Sequence, residues 1–356
     1  MGKGFAITSD LNLGKMLLAG YQRHIVESSA DLTNGHGEDK QSSKKRRLSR
    51  LPRIRIAAIT NDTVATFASL AYGVKAAPNS RVAMGLIVGT GTNATVPMKL
   101  ENLHPAKKAD LADPENVETV VINTEWTING SEKPLLDLNI KTPWDLILDA
   151  QSDAPGFQPF EYMTAGRYLG EIVRLVFVDV LSKDSESQLP PSLQKKNAIQ
   201  TRFLSEVIAR APDNVLVQKL NEKYPSSDSF SWTPTRIGLL RDIAYAVQQR
   251  SSALIAAACV GLLDCVHDIR LDRDGQTTQN GNGTHKEDVG EELVIAFAGG
   301  TISQYPEWLE TCQKWIDTLV AKGSPTNTSK KVVLREALDG GIIGAGVLAG
   351  MTDDIA

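Results

Sequence analysis

Residues 82–94 read Val82-Ala-Met-Gly-Leu-Ile-Val-Gly-Thr-Gly-Thr-Asn-Ala94. The run from Val82 to Val88 is almost wholly apolar and short, which reads as a buried strand. It ends in Gly89-Thr90-Gly91-Thr92-Asn93, where two glycines alternate with hydroxyl residues. Backbone N–H groups left open by such a turn, together with the Thr90 hydroxyl, can cradle a phosphate. A tight turn that needs glycine for positive φ accounts for the same residues. Neither the Walker A spacing nor the dinucleotide fingerprint is present.

Working outward, the segment before this strand is Ile54-Arg-Ile-Ala-Ala-Ile-Thr60, a second buried-strand candidate. Helical spacing follows it from Asp62 to Tyr72. Further upstream, Leu13, Leu17, Tyr21 and Ile25 recur four apart, so residues 11–26 read as a helix after an Asp10 cap. Residues 29–50 are polar and rich in Ser, Gly and Asn, and read as a disordered loop. Downstream, Val117–Ile122 is a strand candidate. Apolar residues at helical spacing run over Phe160–Leu181, Ala198–Ala211 and Thr235–Val266. Residues 272–289 form another polar loop, followed by a strand at Glu292–Ala298 and a helix at Pro306–Lys322. A polar linker at 323–330, a last strand at Val332–Leu334 and a glycine-rich helix from Gly341 to Leu348 close the pattern. Strands interspersed with long helices argue an α/β fold. The two long polar loops read as insertions into it.

The composition narrows the classes. In 356 residues the formal net charge is −4, which argues against nucleic-acid binding driven by global charge. Three cysteines, Cys259, Cys265 and Cys312, form no CxxC pair and fit a reducing, cytoplasmic compartment. The five histidines show no zinc-like spacing. No secretory leader is legible at the N-terminus. The most apolar run, Ala253–Leu263, stops at Asp264 and reads as a buried helix rather than a membrane span.

Several residues carry chemistry. Asn61-Asp62-Thr63 joins a strand candidate to a helix. A carboxylate there can take a proton from a hydroxyl held against it, or Asn61 or Asp62 can simply cap the helix. Glu125, in Asn123-Thr-Glu-Trp126, and Glu161, in Gly156-Phe-Gln-Pro-Phe-Glu161, are acidic groups beside aromatic rings. Such pairs suit a sugar, whose hydroxyls donate to carboxylates while rings pack on its apolar faces. Two glycine clusters, Gly299-Gly300 and Gly340-Gly341 with Gly344 and Gly346, allow a backbone to approach a nucleotide or a neighbouring element closely. Lys44-Lys45-Arg46-Arg47 is a compact basic block flanked by serines. It reads as a nuclear import signal, a contact for an acidic partner, or a solvated charge run.

Taken in order, these motifs resemble the C-terminal large lobe of the eukaryotic hexokinases. The resemblance rests on Asn61-Asp62-Thr63, LIVGTGTNA (86–94), NTEW (123–126), APGFQPFEYMTAGRYLGEIVRLV (154–176), IAFAGGTISQYP (295–306) and ALDGGIIGAGVLAG (337–350). It implies one domain over residues 1–350, a mixed sheet flanked by helices of the hexokinase and actin-like ATPase type, interrupted at 29–50 and 272–289. It also implies phosphorylation of a glucose-like hexose at the 6-hydroxyl by ATP with Mg2+, a glycolytic step. Asp62 then resembles the catalytic base, and Asn61, Asn93, Glu125 and Glu161 the sugar-binding side chains. Lys3 matches the lysine of a Trp-Thr-Lys-Gly-Phe segment that contacts sugar. Gly89, Thr90 and Gly91 would meet the phosphates, and Gly299, Gly300 and Gly341 the adenine region.

The departures point another way. Met1 and Gly2 stand where that segment has tryptophan and threonine, and residues 1–356 contain no match to the family's first phosphate loop or small lobe, as expected of a regulator that lacks them or of a piece of a longer chain. Ala298 stands where an aspartate is usual and Thr127 where a glycine is typical. The resemblance therefore implies impaired turnover by this chain alone. It leaves open a non-catalytic, sugar-sensing regulator like the atypical fungal hexokinase-like proteins, with the basic block directing it to the nucleus or to a protein partner.

Overall fold

The computed structural model describes residues 12–30, 52–74, 79–109, 111, 116–126, 132–183, 188–272 and 290–351. Lys3, Asp10 and the Lys44–Arg47 block lie outside the described residues, as does most of both polar loops. The chain separates into two compact units, Met1–Thr60 with Leu348–Ala356, and Asn61–Val347.

The first unit holds α1 (Leu13–Ala30), longer than the spacing predicts. Asn12 caps it: its Oδ1 accepts the Lys15 N–H at 2.9 Å. The Tyr21 hydroxyl donates to the Pro52 carbonyl at 2.5 Å. The strand expected at Ile54–Thr60 does not form. A strand exists only through a neighbour's hydrogen bonds, and this segment pairs with no other among the described residues. Its apolar side chains stay accessible, with Ile54 and Ile59 about half exposed.

The second unit begins with α2 (Asp62–Val74), β1 (Ser80–Val88), β2 (Thr92–Lys99), α3 (Pro105–Lys108) and β3 (Thr119–Asn123). Next come α4 (Glu132–Asp137), α5 (Pro143–Ala150), α6 (Pro159–Thr164), α7 (Gly166–Ser182), α8 (Pro191–Gln194) and α9 (Thr201–Phe203). A π-helical stretch, Leu204–Ile208, leads to α10 (Asp213–Lys223) and α11 (Pro234–Cys265). The unit continues with β4 (Glu291–Ala298), α12 (Gly300–Gln304), α13 (Trp308–Gly323) and β5 (Lys330–Glu336). It runs into α14 (Gly340–Met351), whose last residues fall in the first unit.

The five strands form one mixed sheet in the order β3-β2-β1-β4-β5. The β3–β2 and β2–β1 pairs are antiparallel, and the β1–β4 and β4–β5 pairs are parallel. β1 and β4 are central, which explains their nearly continuous apolar sequences. On one face Val82, Val294 and Ala296 pack with Phe67, Leu70 and Ala71 of α2. On the other, Met84, Leu86, Ile295 and Phe297 join the main core with α7, α11 and α13. The mixed sheet with helices on both faces is the α/β architecture the sequence implies.

β2 is the strand the sequence hides. Thr92-Asn-Ala-Thr-Val-Pro97 is half polar and holds a proline. Proline is tolerated because the β1–β2 register ends at Gly85↔Thr95, while Pro97 faces Val121 on the other side. At the far edge, Gln313 of α13 covers β5. Its Nε2 donates to the Val332 carbonyl at 2.8 Å, and its Oε1 accepts the Leu334 N–H at 2.8 Å. The side-chain amide takes the bonds a neighbouring strand would make.

α11 is long and apolar enough to cross a membrane. It packs against α7 and α13, with Ile255, Ala256, Cys259, Val260 and Leu263 buried. Each large aliphatic group sequestered this way contributes about 1.5–3 kcal/mol. Several helices fall outside the periodicity reading, among them α5 and α10. α5 starts at a capping box in which Thr142 and Asp145 satisfy each other's backbone N–H groups. α10 begins just after Pro212.

Candidate active site

The site is built around four consecutive residues, Thr92 to Thr95, where β2 leaves the glycine turn. The buried Asn93 donates from Nδ2 to Asn123 Oδ1 at 2.6 Å and to Glu125 Oε1 at 3.3 Å. Asn123 Nδ2 donates to the same Glu125 oxygen at 3.1 Å. Glu125 has a left-handed backbone with φ 45°, unfavourable by about 1–3 kcal/mol outside glycine. Thr124 before it holds the chain in place, with its N–H and hydroxyl both donating to the Ala94 carbonyl at 3.1 and 2.9 Å. Glu161, in the first turn of α6, is buried, and its Oε2 accepts the Thr92 N–H at 3.0 Å.

Asn61 joins through its neighbour. Its Oδ1 accepts the Thr63 N–H at 2.9 Å and the Thr63 hydroxyl at 2.5 Å. The buried Thr63 Oγ1 lies 2.6 Å from Thr95 Oγ1. Asn61, Asn93, Glu125 and Glu161 are thus all tethered to Thr92–Thr95. Asp62 is exposed at the start of α2 and its Oδ1 accepts the Thr63 N–H at 2.9 Å. The capping role that the sequence offers falls to Asn61, whose side chain accepts the N–H of the second helical residue, and the helix dipole favours the Asp62 carboxylate in the first turn.

The aromatic residues do something other than expected. Trp126 and Phe160 pack on each other, with ring centroids 5.7 Å apart, as part of the core. They stabilise the two segments that carry Glu125 and Glu161. Gln158, just before α6, was not legible as a site residue. It is buried, and its Nε2 has no hydrogen-bond partner among the described residues, an arrangement that leaves a donor for a ligand acceptor.

On the other side of the turn the contacts are mostly main-chain. The Gly89 N–H donates to the Gly91 carbonyl at 2.9 Å. The Gly89 carbonyl accepts the Gly166 N–H at 2.7 Å and the Thr301 hydroxyl at 3.1 Å. The Arg167 N–H donates to the Thr90 carbonyl at 3.3 Å. These bonds divide the single helix expected over Phe160–Leu181 at Ala165, which is extended, with φ −88° and ψ 144°. Glycine is required at two points. Gly299 has φ 126°, and a Cβ there would lie 2.4 Å from the Val88 carbonyl oxygen. A Cβ on Gly166 would lie 2.4 Å from Thr301 Oγ1.

Beside this junction is a cavity of about 270 Å3 lined by Gly89, Thr90, Arg167, Ser205, Gly300 and Gln304, among others, with no carboxylate in its wall. A second, of about 590 Å3, shares Thr90, Gly166, Arg167, Thr201 and Arg202 with it. Arg167 pairs with Asp153 at 2.9 Å and Arg202 with Glu206 at 2.8 Å, both at the surface, where such pairs are weak. Burial pushes the Tyr168 phenol, on the larger cavity, up to about 12. Arg167, Thr201, Arg202 and Ser205 were not singled out by sequence. Residues 198–211 read there as an ordinary helix, whereas the structure places Ser205 in the π-helical stretch, a conformation frequent at functional sites. Gly341 is exposed in the first turn of α14 and lines neither cavity. Gly344 serves packing, since a Cβ there would lie 1.8 Å from the Ala65 carbonyl oxygen. Among the described residues no group of three or more His, Cys, Asp or Glu side chains is placed to hold a metal ion.

Residues 83–351 match the sequence model of the family described as hexokinase. The chain belongs to the hexokinase family. Among curated hexokinases, Hexokinase-7 of Oryza sativa subsp. japonica is 29% identical over 312 residues. The hexokinase of Schistosoma mansoni is 30% identical over 301 residues. Each alignment covers 83% of this chain and 57% of the relative, so the chain spans somewhat more than half of their length. The structure is similar to that of the Schistosoma mansoni hexokinase complexed with glucose, with a TM-score of 0.62 and 27% identity over 83% of this chain and 57% of that one. The mixed sheet and its helices are those of the hexokinase large lobe, an actin-like ATPase fold.

Proposed function

We propose that this chain binds a hexose at the start of β2 and transfers the terminal phosphoryl group of ATP to its 6-hydroxyl. The observation that carries this reading is the tethering of Asn61, Asn93, Glu125 and Glu161 to Thr92–Thr95, one turn away from a cavity whose wall holds arginines and hydroxyls and no carboxylate. Carboxylates and amides accept from and donate to sugar hydroxyls in fixed geometry. Gln158, just before the helix that carries Glu161, adds a buried donor. Asp62 takes the 6-hydroxyl proton as the oxygen attacks phosphorus in line, work of the kind that contributes about 10²–10⁴-fold.

The donor set of the smaller cavity fits a polyphosphate: Arg167 and Arg202 supply positive charge, and Thr90, Ser205 and Thr301 supply hydroxyls. ATP supplies the phosphoryl group, and a Mg2+ riding mainly on its oxygens offsets their charge. Gly89, Thr90 and Gly300 line that wall, next to Gly91 and Gly299 in the chain.

The test is a coupled assay for hexose-dependent ADP release, paired with calorimetric titration of glucose. Asp62→Asn should lower turnover about 10³-fold, within the range for loss of a general base, with glucose affinity kept within a few-fold. Equal turnover in the two proteins would sink the proposed role of Asp62. A second reading is favoured by the Asp62 Oδ1 contact to the Thr63 N–H, which gives that carboxylate a task in the absence of chemistry. That reading, a sugar-sensing regulator, predicts glucose binding with no ADP release from either protein.

A further inference from the structure

The segment Gln194–Thr201 lines the larger cavity through Lys196, Asn197, Ile199, Gln200 and Thr201, Thr201 reaches the smaller cavity as well, and α7 holds the segment at several points. Glu171 and Arg174 of α7 form a buried ion pair, 3% and 6% exposed at their side chains, with Arg174 Nε donating to Glu171 Oε2 at 2.7 Å and a second guanidinium nitrogen to Oε1 at 2.5 Å. Both residues lie on one helix, so the pair joins no two elements by itself. What it does is present two groups outward. Glu171 Oε2 also accepts the Asn197 N–H at 2.6 Å, and Arg174 donates to the Gln194 carbonyl at 3.3 Å. Asn197 has a left-handed backbone, φ 58°. Next to it, Gly170 N–H donates to Thr201 Oγ1 at 2.9 Å, and a Cβ on Gly170 would lie 2.3 Å from the Ile199 carbonyl oxygen. The Tyr224 hydroxyl fixes the Ala198 carbonyl from the other side at 2.7 Å.

A buried ion pair is a poor way to gain stability, because desolvation consumes most of the attraction, and well-packed apolar residues often do as well. Its two outward bonds do something apolar residues cannot: they fix main-chain groups at a set position. The segment so fixed delivers Thr201 and Arg202 to the cavity walls and leads directly to Ser205. We infer that Glu171 and Arg174 are positioning residues for nucleotide binding, presetting the Thr201–Ser205 wall before ligand arrives. The inference rests on the nucleotide reading of the smaller cavity given above.

Removing one charge strands the other in the core, so Glu171→Gln alone destabilises the fold for reasons unrelated to position. The informative protein is therefore the double variant Glu171→Leu/Arg174→Met, which removes both charges at similar volume. Titration with Mg-ATP and with glucose, alongside thermal unfolding, separates the roles. Positioning predicts a melting temperature near wild type, unchanged glucose affinity, and Mg-ATP affinity lower by about tenfold, the scale of one misplaced charge-assisted hydrogen bond. Unchanged Mg-ATP affinity in that variant overturns the inference and leaves the nucleotide reading standing. Absence of Mg-ATP binding by the wild-type chain overturns the nucleotide reading itself, and the inference with it. Amide exchange in the wild-type chain gives a check that needs no variant. The Asn197 N–H should exchange slowly without nucleotide, and fast exchange there would overturn a preset wall.

Discussion

The two sides of the Gly89–Gly91 turn are built from different materials. On the β2 side the contacts are made by side chains: Asn93 with Glu125, Glu161 with the Thr92 amide, Thr63 with Thr95. On the α7 side the packing depends mostly on the main chain and on missing side chains, with the Gly166 N–H on the Gly89 carbonyl and Gly299 against Val88, and the Thr301 hydroxyl adds a bond to the same carbonyl. Side chains can be exchanged for near-isosteres that keep the fold. A close approach between backbones cannot be edited without moving an element. The first half should therefore tolerate changes that alter binding alone, and the second half should couple binding to stability.

The largest expected effect breaks the main-chain half. Gly299→Ala places a Cβ 2.4 Å from the Val88 carbonyl oxygen and forces φ 126° on an alanine. Strain and overpacking of this kind cost about 2–4 kcal/mol. Urea denaturation should show that loss, and Mg-ATP affinity should fall with it. A variant as stable as wild type would mean that the junction is plastic and the contrast false. The next effect is on binding alone. Glu161→Gln keeps an oxygen able to accept the Thr92 N–H but removes the charge. Glucose affinity should fall about tenfold, with a melting temperature close to wild type. A large loss of stability would place Glu161 among the structural residues instead.

The same contrast explains what could be read from the amino-acid order. Asp62, Asn93, Glu125 and Glu161 lie at the ends of strand candidates or the starts of helices, where each alone reads as a cap or a solvated group, and only their order along the chain, through its resemblance to the hexokinases, singled them out. The central strands β1 and β4 were legible directly, as nearly continuous apolar runs. The main-chain half was not, because its bonds link residues far apart in sequence through groups every residue carries. Phe160–Leu181 has unbroken helical spacing, yet the bonds from Gly166 and Arg167 to Gly89 and Thr90 divide it. Arg167, Thr201 and Ser205 became visible only once that division and the π-helical stretch brought them to one wall. Ile54–Thr60 erred in the other direction. Its composition is strand-like, but pairing is a property of two segments, and composition describes one.

The smallest expected effect sharpens the comparison where both materials meet, at Asn61. Its Oδ1 accepts the Thr63 N–H at 2.9 Å, a helix cap, and the Thr63 hydroxyl carries the same contact to Thr95. An aspartate caps helices about as well as an asparagine, and loss of the cap in an alanine variant costs about 1 kcal/mol. Asn61→Asp should therefore leave urea stability within about 0.5 kcal/mol of wild type, while Asn61→Ala should not. Their effects on sugar should run differently. Both variants lack the amide N–H groups that can donate to a sugar oxygen, so both should bind glucose more weakly. If Asn61→Asp binds glucose as wild type does, Asn61 is a cap only. The sugar cluster then reduces to Asn93, Glu125 and Glu161, and α2 contributes to the site through Asp62 alone.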